Sequence, residues 1–99
     1  METTIQFVQI EKNTTAEDLV IEKLNQLSKH FDFVIKAKVF FKEEKDTKGK
    51  GKICDITLSC PGPQIFASSN EETHEAAAAE TVRDLTVQLN KRKAEMSSH

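Results

Sequence analysis

Between Leu24 and Lys45 the apolar positions of the chain change their spacing. Leu24, Leu27 and Phe31 keep helical intervals; after Asp32 the apolar positions become Ile35, Ala37, Val39 and Phe41, with Lys36, Lys38 and Lys42 on the alternate face. A helix running into a half-buried strand has this pattern. Upstream, residues 3–10 (TTIQFVQI) alternate as a first strand with Ile5 and Phe7 inward. Thr14 to Glu17 carry the pattern of a capping box, which opens a helix of about 17 residues. Ala16, Val20, Leu24, Leu27 and Phe31 lie on one stripe of it, and its charges run from Glu17 and Asp18 to Lys29, as the helix dipole favours.

The second strand covers about 35–44 and the loop KDTKGKG, with Gly49 and Gly51, turns it into a hairpin. In the third strand, ICDITLSC, Cys54, Ile56, Leu58 and Cys60 share one face. Pro61-Gly62-Pro63 makes a turn, QIFASS a short fourth strand, and Ser69 to Glu72 the cap of a second helix reaching about residue 95. Its buried stripe is Ala78, Val82, Leu85 and Leu89, and the alanines at 76–79 permit a close neighbour. The order βαβββα predicts an α+β fold: a four-stranded mixed sheet with two helices packed on one face. Strands one and two flank a helix and should be parallel through a right-handed crossover. Strands two to four should form an antiparallel meander. No repeat or linker divides residues 1–99, so one domain is expected.

Bulk properties narrow the class. The chain has 99 residues, 37% hydrophobic and 30% charged, which suits a folded domain with one small core. It has no apolar run near the roughly 20 residues of a membrane span, and the N-terminal METTIQFVQIEKN lacks the blocks of a signal peptide, so a cytoplasmic location is expected. Cys54 and Cys60 would stand about 20 Å apart along one strand at roughly 3.3 Å per residue. A disulfide needs Cα atoms within about 7 Å, so reduced, buried thiols are expected. The net charge of −2 hides an uneven distribution: residues 36–52 carry net +4, and each flank carries −3. Lys91-Arg92-Lys93 forms a second basic cluster. Phosphate contacts respond to such local potential.

Taken in order, LNQLSKHFD, VFFKEEK, TLSCPG, QIFAS and QLNKRK resemble the ribosome hibernation-promoting factors, also called ribosome-associated inhibitor or sigma-54 modulation proteins. The resemblance spans about Ile5 to His99 and is to the short form. It implies a βαβββα domain that binds the small ribosomal subunit through 16S rRNA, overlaps the mRNA and tRNA sites, and silences idle ribosomes in stress or stationary phase. Basic side chains would meet phosphate oxygens without reading bases. By position, the rRNA-binding residues implied are Lys23, Lys91, Arg92 and Lys93, with Lys29 and Arg83 nearby and Lys42 and Lys45 from the KxEK-like segment. Relatives commonly carry basic residues where this chain has Glu17, Gln26, Asp84 and Val87.

An alternative reading is a diverged paralogue acting as a protein-interaction module or homodimer, with Phe40, Ile53 and Phe66 as an outward patch. A double-stranded-RNA-binding domain fits less well, because Glu71, Glu72 and Glu75 open the last helix. His30, His74 and His99 are read as surface or terminal side chains with no ligand spacing. Neither a nucleophile elbow, a phosphate loop nor HExxH occurs, so no enzymatic activity, metal or cofactor is expected.

Overall fold

The computed structural model describes residues 1–46 and 48–97. Thr47 in the hairpin loop and His99 lie outside that set. The elements are β1 (Glu2–Phe7), α1 (Thr14–His30), β2 (Lys36–Glu43), β3 (Lys52–Ser59), β4 (Ile65–Glu71) and α2 (His74–Met96). The sheet order is β1-β2-β3-β4, with β1 parallel to β2 and the other pairs antiparallel. Both helices cover one sheet face, as expected. Because β1 and β4 point the same way, α1 and α2 also run in one direction.

The core is the set of inward positions that the alternation identifies. Ala37, Val39 and Phe41 of β2 meet Cys54, Ile56 and Leu58 of β3 and Ile65 and Ala67 of β4; Ala16, Val20, Leu24 and Leu27 of α1 and Ala78, Val82, Leu85 and Leu89 of α2 close over them. Each fully buried Leu or Ile contributes about 1.5–3 kcal/mol relative to exposure. Cys54 and Cys60 are free and buried. Burial pushes the Cys54 thiol up to about 12.

Several boundaries differ from the sequence reading. The first helix is capped by Asn13, whose Oδ1 accepts from the Ala16 amide at 3.0 Å, rather than by Thr14. Glu17 instead pairs with Lys12 at 3.3 Å. β1 stops at Phe7 because Gln9 takes a φ of 58°, which breaks the extended backbone. β4 runs two residues past QIFASS: Asn70 and Glu71 stay paired with Ile53 and Lys52, as Ser69 does with Cys54. They therefore cannot cap α2, and Thr73 does so through Ala76. Ile35 is 64% exposed rather than inward, since Phe31 and Val34 fill the corner beneath the end of α1. His74, expected on the surface, is buried; its ring edge meets Phe41, and its Nε2 lies 2.8 Å from the Lys42 carbonyl oxygen.

Candidate nucleic-acid interface

Two stripes of side chains at helical spacing meet where α1 and α2 lie side by side. Lys23, Gln26 and His30 come from α1; Arg83, Thr86, Asn90 and Lys93 come from α2. Between them runs a groove of about 500 Å³ floored by Leu27, Phe31, Ala79 and Val82. The alanine at 79 keeps the groove open, since a larger side chain there would project into it. No carboxylate of the described residues lines the groove, although acidic residues outnumber basic ones in the chain. Among the described residues, neither Lys23 nor Lys93 has a carboxylate within ion-pair distance. The Lys93 ammonium sits over the Phe31 ring, 5.9 Å from its centroid. Arg83 makes a 3.0 Å pair with Glu80 one turn back, and its side chain is 77% exposed. Such an exposed pair contributes little and can be traded for another anion. The groove is therefore a concentration of positive charge with a small apolar floor.

The other expected cations lie elsewhere. Lys29 and Lys91 are exposed on the helices, outside the groove. Arg92 is half-buried and its guanidinium donates to the Pro61 carbonyl oxygen at 2.8 Å, which ties α2 to the β3–β4 turn. Lys42 points from the opposite sheet face and pairs with Asp55 at 2.5 Å. Lys45 follows β2 at the root of the hairpin and is exposed. The eight positions thus fall on both faces and near both ends of the sheet; Lys23, Arg83 and Lys93 alone among them share one concavity. Sequence spacing could not bring His30, Asn90 and Thr86 to it, because that depends on how the helices cross.

On the outer sheet face, Phe40 and Ile53 are half-buried and Phe66 is 55% exposed. None stands directly opposite another in the strand register. Phe40 faces Asp55 and Phe66 faces Thr57. Asp55 is also hydrogen-bonded by Ser68 Oγ and paired with Lys42, so a polar cluster separates Phe40 from Phe66.

The hairpin root is closed by a backbone hydrogen bond from the Glu44 amide to the Gly51 carbonyl oxygen at 3.0 Å and by the side chain of Asn70. Asn70 Oδ1 accepts from the Gly51 amide at 2.6 Å while its Nδ2 donates to Glu44 Oε1 at 2.8 Å. Gly51 has φ +122°, and a Cβ there would collide with the Glu44 carbonyl oxygen, so glycine is required. Beside it, a hydrogen bond from Lys52 holds the Glu43 carboxyl below its usual range.

The profile of the family described as "Sigma 54 modulation protein / S30EA ribosomal protein" matches residues 3–97. The chain belongs to this family. It is 31% identical over 98 residues to a ribosome hibernation promoting factor of Pseudomonas putida, an alignment covering 99% of this chain and 92% of that one. Among solved structures it is similar to a ribosomal subunit interface protein from Coxiella burnetii, with TM-score 0.81, 22% identity, and 95% and 99% of the two chains covered. The N-terminal domain of Protein Y from Thermus thermophilus gives TM-score 0.76 at 20% identity over 92% and 98%. These two likenesses show the fold. Sigma 54 modulation/S30EA proteins are not enzymes, in keeping with the sequence reading. No helix among the described residues is long and apolar enough to cross a membrane.

Proposed function

We propose that this chain is a ribosome-associated hibernation factor that acts as a single cytoplasmic domain. Its contact surface is the groove between α1 and α2 together with the basic end of α2. Its partner is rRNA of the small subunit, over the mRNA and tRNA sites, under conditions in which ribosomes stand idle. One observation carries this reading: Lys23, Arg83 and Lys93 converge on a groove that no described carboxylate lines, in a chain of net charge −2. Among the described residues Lys23 and Lys93 have no acidic partner and Arg83 has only the exposed Glu80, whereas Lys42 and Lys52 on the sheet are each paired with a carboxylate of the neighbouring strand. Kinship to a hibernation promoting factor over nearly the whole chain supports the choice of partner.

Binding of this kind is electrostatic and falls with salt, by about 0.7–0.9 in log–log slope for each phosphate neutralised. The test is sedimentation of the protein with purified ribosomes at low salt, beside a Lys23→Ala/Arg83→Ala/Lys93→Ala variant. The wild type should travel with the small subunit and with whole particles, and the variant should be left near the top of the gradient. A wild-type protein absent from every ribosomal fraction at low salt would overturn the reading. The interaction-module alternative has weaker support, because polar side chains divide its apolar positions.

A further inference from the structure

The groove contains more than phosphate contacts require. Cations on an open helix face suffice to hold a phosphate backbone. Here they stand around a concavity of about 500 Å³, within the roughly 300–1,000 Å³ range of sites that enclose small ligands. Its floor is apolar, and two side-chain amides, Gln26 and Asn90, stand at its walls. Both amides are exposed, and neither makes a hydrogen bond within the described part of the chain. Apolar floor, free amides and cationic rim are the three features that a nucleotide would use: a flat base, polar base edges and an anionic phosphate.

We propose that this groove receives one unpaired nucleotide of the RNA, base inward and phosphate at the rim. The proposal rests on the reading of the groove as an RNA contact and specifies what enters it. The base lies against Leu27 and Val82, and its edge meets Gln26 or Asn90. The phosphate is held by Lys23 and Arg83. Lys93 takes part by moving. Its ammonium now covers the Phe31 ring, and Phe31 is 4% exposed beneath it. Lys93 lies ten residues, about 15 Å, along α2 from Arg83, so that ammonium turns toward the next phosphate of the strand and adds a second backbone contact. Duplex RNA cannot use the site in this way, since its bases are stacked and paired and none can turn inward into the groove. The preferred partner is therefore single-stranded.

Fluorescence anisotropy with three labelled RNAs tests this: a short single strand, the same backbone with abasic sites, and a duplex of equal length. The single strand should bind the full-length protein about tenfold or more tightly than the abasic strand, the scale of one stacked base. Ala79→Leu, which fills the floor, should bring the single strand down to the affinity of the abasic strand, with circular dichroism confirming that the variant is folded; a folded Ala79→Leu protein that keeps the full difference would overturn the proposal. Equal affinity of the wild type for single and abasic strands would overturn the proposal but leave the electrostatic contact standing. Failure of all three RNAs to bind at low salt would remove the groove as an RNA site altogether. Displacement of the single strand by a nucleoside monophosphate at comparable concentration would assign the groove to a free nucleotide and overturn the RNA part.

Discussion

Arg92 of α2 donates to the carbonyl oxygen of Pro61 at 2.8 Å and reaches the sulfur of Cys60 at 3.4 Å. A side chain that sequence kinship marks for RNA thus closes the β3–β4 turn onto the last turns of α2. Arg92→Ala should lower stability by about 1 kcal/mol, the value of a partly exposed charge-assisted hydrogen bond, seen as a shifted urea midpoint. Ribosome binding should fall less than for Lys93→Ala. Equal losses of binding would mean that the guanidinium leaves the turn on contact.

Asn70 fixes the hairpin root through Gly51 and Glu44. Asn70→Ala leaves the buried Gly51 amide without its acceptor, a cost of about 1–3 kcal/mol. Hydrogen exchange at Gly51 should accelerate by at least tenfold while the amides of Ile56 and Leu58 keep their protection. Unchanged exchange at Gly51 would show that the backbone holds the root without the side chain.

Cys54 supplies a pH dependence. Its ordinary value is 9.0, and burial holds it at about 12 in the fold. Between those values the unfolded chain binds fewer protons than the folded one, so this contribution is complete below pH 9 and is lost as pH rises toward 12. Thermal melts across that range should show the wild type losing more stability than Cys54→Ala, even though the variant starts lower because of its cavity. The native thiol should also resist alkylation at neutral pH until the protein is unfolded.

Lys42 and Lys23 should separate in binding experiments. Lys42 is committed to Asp55 on the outer sheet face, whereas Lys23 lines the inter-helix groove. Lys23→Ala should flatten the salt dependence of ribosome binding by about 0.7–0.9 in slope, and Lys42→Ala should leave it unchanged. The opposite pattern would move the contact surface to the outer face of the sheet.

Much of the fold was legible because alternation and helical spacing are local. Ala37, Val39, Phe41, Ile56 and Leu58 lie inward as their period requires. The helix starts depart from the local pattern for a physical reason. Thr14 and Ser69 each begin a capping-box pattern, but Thr14 is already the first helical residue with Asn13 as its cap, and Ser69 remains in the sheet ladder. The burial of His74 depends on Phe41 and on the Lys42 carbonyl, the latter 32 residues away, so no local pattern announces it. The candidate site was legible only as a collection of basic residues. Which of them share a concavity depends on how α1 and α2 pack, and that lies beyond any pattern within one helix.

The common direction of the two helices gives the molecule a leading end. Their first turns hold Glu17 and Glu75, and their last turns hold Lys29, His30 and Lys93. Full side-chain charges outweigh the roughly half-unit charges of the helix termini, so the two helices act as aligned rods with their cationic tips together. A polyanion repels the net charge of −2 while exerting a torque that turns those tips toward it. Capture then depends on orientation gained during approach, within about 10 Å at 0.1 M salt. The same two charges of net repulsion turn away encounters that arrive with the helix starts in front.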